Sequence, residues 1–553
     1  MKKQWWHDKI AYQVYPKSFK DSNGDGIGDL QGIISKLDYL KDLGVDIIWM
    51  SPMYKSPFVD QGYDIADYYA VDPIFGNMQD MEQLIAEVKK RDMHLLLDLV
   101  INHCSDQHEW FQKALADPYG EYADYFYFKK GVNGAPPTNW RACFGGSTWE
   151  PVPGTDLYYL HMFVKEQPDL NFENPVVRQK IYDMINWWLE KGIDGFRVDA
   201  IINIKKDLTF SSYPADRADG LVSPRVMLSH AVGVVDVLQD IRKNTFAKHD
   251  ALTIAELFDY DVEQLEAYIG EDGCFSSIFV FDTHLIGRTN KGWHDYTKPT
   301  PEQYKKTMFA SQKNAGDVGL LCTIIENHDE PRGVSHYLPE VTEMGKKMLA
   351  TVFMFSKGMP FFYQGQEIGM ENNAFTDIMQ INDVNSLDEY QNALRVGKTP
   401  AEALAIVSEY SRDNTRTPMQ WDESENAGFT TGAPWLCVNE KYHRINVAQQ
   451  MRDENSLLAY YKKLVALRKD AEYKQNFVYG AFVPAYQSIE NVLAFYREYE
   501  GQKLLVICNF QNVQTSVSLS ELPKQILVNN TETTQLAEDI LTLAPYQALV
   551  LEM

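Results

Sequence analysis

Eight short apolar runs, rich in β-branched and aromatic residues, recur along the first two-thirds of the chain, and amphipathic stretches separate them. The runs are AYQVYP (11–16), DIIWMSP (46–52), HLLLDLV (94–100), GFRVDA (195–200), ALTIAEL (251–257), SSIFVFD (276–282), LLCTIIENHD (320–329) and PFFYQG (360–365). Between them lie segments such as LQGIISKLDYLKDLG and MEQLIAEVKKRD, whose apolar residues fall at helical spacing. A strand followed by a helix returns the chain to the end where it started, so the next strand pairs in parallel. Eight such units predict an α/β chain folded as a (β/α)8 TIM barrel, because an open sheet of that many strands is a poorer fit.

Two intervals interrupt the alternation. Residues 105–174, dense in aromatic residues, Gly and Pro, read as an inserted lobe after the third strand, and 372–435 as a mixed insertion after the eighth. The helix LLAYYKKLVALRKD then gives way to NVLAFYRE, KLLVICNF, TSVSLS, KQILVNN and QALVLEM, which read as strands. The expected plan is a barrel over 1–104 and 175–479, the lobe over 105–174, and a C-terminal β-sandwich over 480–553.

Composition narrows the functional classes. With 45% apolar residues the chain can bury a large core. Its 52 basic and 77 acidic residues leave a net charge of −25, which repels phosphate backbones and anionic lipid. A neutral or cationic small substrate is expected, with no nucleic acid or membrane partner. No run of eighteen apolar residues and no secretory leader is seen. Six dispersed cysteines without a CxxC pair read as reduced thiols in a cytoplasmic protein.

In a parallel barrel the loops after the strands converge on one mouth, so polar residues at strand ends carry the chemistry. The third run ends in Asp98, Asn102 and His103, and the fourth in Arg197 and Asp199. The fifth ends in Glu256, and the seventh in His328 and Asp329. Any one of these could be a cap or a structural ion pair. Carboxylates at the ends of several strands, without a Cys/His cluster or a phosphate-binding Gly loop, point instead to catalysis by paired carboxyl groups, as in glycoside cleavage.

In order, DLVINH, GFRVDA, TIAEL and ENHD, with QPDLNFENP in the lobe, resemble the motifs of glycoside hydrolase family 13, the α-amylase family. AYQVYPKSFKDSNGDGIGDLQGI, VDQGYD and SRDNTRTPMQW resemble its branch of oligo-1,6-glucosidases, dextran glucosidases and related α-glucosidases. The resemblance implies Asp199 as nucleophile, Glu256 as general acid/base and Asp329 as stabiliser of the distorted sugar. Arg197 should keep Asp199 ionised, and a partly apolar setting should let Glu256 hold its proton. His103, His328 and Asp329 would meet hydroxyls of the terminal glucose. Tyr63 would stack beneath that glucose, with Asp60 and Arg412 closing the pocket behind it; Arg416 is the alternative to Arg412. Phe144 and Phe163 could line the rim, as could Trp149, although core packing suits each of them as well.

DSNGDGIGD supplies oxygen ligands Asp21, Asn23, Asp25 and Asp29 at alternating positions, which suits a hard divalent cation. It is not an EF-hand, since Gly32 stands where a bidentate glutamate is required. The resemblance implies a structural Ca2+, or Mg2+ in its place, with Ile27 adding its carbonyl; the alternative is a metal-free turn. No cofactor is expected for catalysis. In this branch the residue after the nucleophile is typically valine in α-1,6-specific members, and here it is Ala200. A retaining, exo-acting α-glucosidase is therefore expected, a monomer or homodimer acting on short α-1,4 or mixed oligosaccharides. Strict α-1,6 action comes second and trehalose-6-phosphate hydrolysis third. Sucrose isomerases and transglucosylating relatives differ in water exclusion, which a sequence does not reveal. A non-catalytic barrel like those of amino-acid-transporter heavy chains would carry a membrane span and commonly lack the full carboxylate set.

Overall fold

The computed structural model describes residues 2–258 and 262–553. Eight parallel strands follow the eight runs: β1 (Ala11–Val14), β2 (Ile47–Met50), β3 (His94–Leu99), β4 (Gly195–Val198), β5 (Leu252–Ala255), β6 (Ser277–Ile278), β7 (Cys322–Thr323) and β8 (Met359–Tyr363). Each pairs with the next except β6 with β7, and β8 returns to β1. The gap between β6 and β7 is bridged by Phe279–Cys322 and by the Val280 N–H to the Cys322 carbonyl at 3.0 Å, so the barrel closes.

Two-residue periodicity sorts each strand into an inner and an outer face. Ala11, Ile47, Trp49, Leu96, Leu252, Ile254 and Phe361 fill the interior, together with Phe279, Phe281 and Ile324 from beyond the short ladders of β6 and β7. Tyr12, Ile48, Leu95, Leu97, Phe196 and Val198 point outward into the layer shared with the helices. Burying each large side chain contributes roughly 1.5–3 kcal/mol. The helices carry their own signals. Met78–Lys90 opens on an Asn77/Asp80 capping box and buries Met81, Leu84, Ile85 and Val88. Pro175–Lys191 starts on an Asn174 cap and stops at Gly192, at φ 103°. Gly195 opens β4 at φ 154°, where a Cβ would stand 1.8 Å from the Leu252 carbonyl oxygen.

The lobe after β3 holds a three-stranded antiparallel sheet of Phe128–Lys130, Leu157–Leu160 and Trp149–Pro151. Its core is Trp140, Trp149, Leu160 and Met162, joined by Val222 and Met227 from the segment after β4. That second contribution is absent from the sequence reading, because residues 207–230 have no strand or long amphipathic period. At the C-terminus a five-stranded sheet, beginning at Ala481–Ala485, faces a three-stranded one. Alternate residues Ala494, Leu505, Ile507 and Leu549 pack against Val517, Leu541 and Leu543 of the second sheet. Leu493, Phe495, Leu504 and Val506 belong instead to the main barrel core. No described helix is long and apolar enough to cross a membrane.

Candidate active site

Register places the deepest layer of the site. Asp98 on β3 stands opposite Arg197 on β4, and both point into the barrel. Arg197 is fully buried, and its Nη1 donates to Asp98 Oδ1 at 2.8 Å and to Asp199 Oδ1 at 2.6 Å. Its Nη2 lies 2.9 Å from Glu256 Oε1, so one guanidinium serves three carboxyl groups. Tyr63 OH donates to Asp98 Oδ2 at 2.8 Å and meets His328 Nε2 at 2.6 Å. His328 Nδ1 contacts Gln13 Nε2 at 2.8 Å, which assigns Nδ1 as acceptor and leaves the proton on Nε2. That edge also faces Asp329 Oδ2 at 3.0 Å.

Above this layer a cavity of about 310 Å³ opens at the strand ends. Asp199, Glu256 and Asp329 line it, with Asp60, Tyr63, His103, Phe144, Phe163, Ala200 and Arg412. Arg412 resolves the choice between the two arginines. Its Nη2 meets Asp60 Oδ1 at 3.0 Å and its Nη1 meets Asp329 Oδ1 at 3.1 Å, and its guanidinium lies 4.8 Å over the Phe144 ring. Arg416 is fully buried behind Asp329, with Nη2 at 2.8 Å from Oδ1. His328 and Arg197 likewise sit one layer beneath the lining residues. His103 Nε2 donates to the Tyr63 carbonyl at 3.0 Å, and Gln167 Nε2 reaches Asp60 Oδ2 at 3.2 Å. Trp149 belongs to the lobe core, whereas Phe144 and Phe163 face the cavity, their rings 5.5 Å apart.

Charge distribution separates the carboxyl groups. Burial opposes ionisation of Asp329, but His328, Arg412 and Arg416 outweigh it and hold that carboxyl well below the usual range. Burial raises Asp199 well above the usual range, and repulsion from Glu256, Asp98 and Asp329 adds to it against the pull of Arg197. Arg197 does pull Asp199 toward ionisation, but its single charge is divided among three carboxyl groups and burial outweighs it. Burial likewise brings Asp98 to about 6. Burial lowers His103 and His328 to about 4, so both rings are neutral near pH 7. Glu256 Oε2 accepts the Ala200 N–H at 3.0 Å, so with Oε1 beside Arg197 both its oxygens are engaged.

Several lining residues escaped the sequence reading: Cys143, Asn203, Arg288, Glu330 and Asn385. Arg288 pairs with Glu330. Asp383, fully buried, accepts Arg412 Nε at 2.8 Å and Nη2 at 2.6 Å and caps the helix Val384–Arg395. Glu330, next to Asp329, was the one with a legible signal. The others lie outside the strand ends, Asn385 in the first turn of the helix Val384–Arg395 and the rest in loops or a short 3-10 helix. Of the six cysteines, none in a disulfide, Cys143 is exposed into the cavity.

The loop at 21–29 is held by its own amides. Asp21 Oδ1 accepts from Asn23 and Gly24, Asn23 Oδ1 from Asp25, Asp25 Oδ1 from Ile27, and Asp29 Oδ1 caps a helix through Gly32. Among the described residues no three His, Cys, Asp or Glu side chains converge as a metal cluster. The donor set suits a hard cation in type, with the amide Oδ1 contacts leaving further oxygen lone pairs for it.

With this geometry in hand, comparison with known proteins is decisive at the level of family. The model of the α-amylase catalytic domain matches residues 13–477, and that of the C-terminal domain of the α-amylase SusG matches 492–550. The chain belongs to the α-amylase family. This α-amylase-family enzyme is 39% identical to an oligo-1,6-glucosidase of Bacillus cereus, with both chains covered in full. It is 38% identical to a trehalose-6-phosphate hydrolase of Bacillus subtilis, over 99% of this chain and 98% of the relative. The crystal structure of a trehalulose synthase from Pseudomonas mesoacidophila superposes with a TM-score of 0.94 at 37% identity, with both chains covered in full. The protein is thus a glycoside hydrolase of the α-glucosidase branch, and its relatives differ in the bond they act on.

Proposed function

We propose that the protein is a retaining, exo-acting α-glucosidase that releases glucose from the non-reducing end of short α-gluco-oligosaccharides, α-1,4 or mixed in linkage. The observation that carries this reading is the convergence of Asp199, Glu256 and Asp329 on one cavity with the Asp60–Arg412 pair in its wall. Asp199 attacks the anomeric carbon while Glu256 protonates the leaving oxygen, and water then reverses the geometry. For its acid step Glu256 must release one of its two present contacts when sugar binds. Asp329, kept ionised by His328, Arg412 and Arg416, accepts hydroxyls and opposes the developing positive charge.

Glucose release from maltose, isomaltose, sucrose and trehalose 6-phosphate, compared as kcat/KM, tests the reading. Maltose at or above isomaltose supports Ala200 as a linkage determinant. Isomaltose alone supports strict α-1,6 action, the reading that the name of the B. cereus relative favours. Trehalose 6-phosphate ahead of all would overturn both. Two of the arginines lining the cavity, Arg412 and Arg288, are already engaged by carboxylates, which disfavours a phosphate there. A structural Ca2+ at 21–29, a monomer or homodimer and a cytoplasmic setting complete the proposal.

A further inference from the structure

Beside the sugar cavity lies a smaller chamber of about 50 Å³. One water needs roughly 10–15 Å³ by the same measure, so the chamber has room for a few. Exposed Thr297 lines it together with Ile286, His336, Arg288, Glu330 and Asp329. Arg288, Glu330, Asp329 and Asn385 line both spaces, so the Arg288–Glu330 ion pair stands in the partition.

His336 is 5% exposed, and neither of its ring nitrogens has a hydrogen-bond partner among the described residues. A buried polar group left without a partner is costly. Burial, reinforced by Arg288 and Lys298, lowers the ring to about 3, so it is a neutral imidazole with one donor and one acceptor. A buried donor and acceptor facing a small polar hollow mark a place for ordered water. The partition itself is charged, and burial together with Asp329 and Glu256 raises Glu330 to about 7 against the pull of Arg288.

We propose that this chamber is the side entrance for the water that completes the reaction, with the Arg288–Glu330 pair as its partition and His336 as its buried polar contact. The inference rests on the glucosidase reading above. In the step concerned, the water oxygen bonds to the anomeric carbon as the ester bond to Asp199 breaks. The electron pair returns to Asp199, and the proton passes to the Glu256 carboxylate. A sugar acceptor is too large for the chamber and arrives through the cavity mouth. The two entrances compete for one glycosyl-enzyme, and the chamber raises hydrolysis over transfer.

The test uses p-nitrophenyl α-glucoside at fixed concentration, reading p-nitrophenol and free glucose together. Nitrophenol counts glycosylation, glucose counts hydrolysis, and their ratio rises when transfer replaces hydrolysis. His336→Phe, which fills the chamber and removes both nitrogens, is expected to raise the ratio at least threefold with nitrophenol release changed less than twofold. His336→Gln, which keeps a donor and an acceptor, should retain the wild-type ratio. Ile286→Phe narrows the chamber from another wall and should act like His336→Phe, which guards against a single misfolded variant. An unchanged ratio in both filling variants at wild-type Tm overturns the proposal, as does an equal rise in His336→Gln. Absence of nitrophenol from the wild type would instead remove the glucosidase reading itself.

Discussion

Asp199 and Asp329 occupy one cavity and sit on opposite sides of the usual carboxylate range, and the reason is their count of cations. Asp329 faces Arg412, Arg416 and neutral His328, whereas Asp199 shares Arg197 with two other carboxyl groups. Catalysis needs Asp199 ionised, so its raised value puts the acid limb of kcat/KM above the roughly pH 4 of an ordinary aspartate. Activity is lost as the pH falls through that limb. Removing a neighbouring negative charge with Asp98→Asn should move the limb to lower pH, as a pH–rate profile would read. Asp199→Asn or Glu256→Gln should lower kcat by more than about 10³-fold in a folded protein. Asp199→Asn should also raise Tm, because a carboxyl whose pKa is raised on folding destabilises the fold above its unfolded value near 4. Near-wild-type turnover in either variant would remove that residue from its role. Ala200 adopts φ 44°, a left-handed conformation that a β-branched side chain resists. Ala200→Val should therefore cost roughly 1–3 kcal/mol as well as shift preference toward isomaltose. An unchanged maltose-to-isomaltose ratio would separate Ala200 from linkage choice.

At the scale of elements, the strand ends were legible and the segments that close over them were not. DLVINH, GFRVDA, TIAEL and ENHD each stand at the polar end of a short apolar run, so their carboxyl groups can be assigned to one mouth. Asp383 and Asn385 open the helix Val384–Arg395 and Arg288 sits in a connection, and the placement of each depends on what it packs against. The 21–29 loop is an intermediate case, since its Asx turns are local while its anchoring is not. Asp21 accepts from Thr430 Oγ1, and Trp435 N–H reaches the Gly26 carbonyl at 3.0 Å, tying the loop to the far end of the 372–435 insertion. If Ca2+ binds there, chelation should lower Tm while leaving kcat at a permissive temperature within about twofold. Differential scanning fluorimetry with EDTA and back-titration by Ca2+ or Mg2+ reads this directly. No shift with either ion would leave the loop as a metal-free turn.

For the whole molecule, the contact between barrel and C-terminal sheet is apolar through Leu493, Phe495, Leu504 and Val506. It holds one buried guanidinium, Arg497, with no carboxylate partner among the described residues, and Arg468 lies close by on the barrel side. Arg497, fully buried, donates to the Phe355, Asn476 and Gly480 carbonyls, and Arg468 to those of Met354 and Gly358. Burial lowers both arginines, to about 10 for Arg468 and further for Arg497. Replacing Arg497 by leucine leaves the Phe355 and Gly480 carbonyls unpaired, at about 1–3 kcal/mol each, while the Asn476 carbonyl keeps the Gly480 N–H. Arg497→Leu should lower Tm by several degrees and expose the junction near 480 to limited proteolysis. kcat at low temperature should stay near wild type, since the site lies wholly on the barrel and its insertions. A matching loss of kcat would tie the C-terminal sheet to the chemistry.

The sequence by itself determined the barrel, because eight repeats of strand and helix period admit one compact closed solution. It also determined which carboxyl groups meet, because residues at the ends of parallel strands have nowhere else to face. Tertiary structure alone decided which arginine faces the cavity, since Arg412 and Arg416 lie on one short helical turn and differ only in what surrounds them. It likewise decided the ionisation of Asp199, which depends on charges from three separate strands. The chamber behind the Arg288–Glu330 pair was beyond any sequence reading, because an unfilled space belongs to no residue.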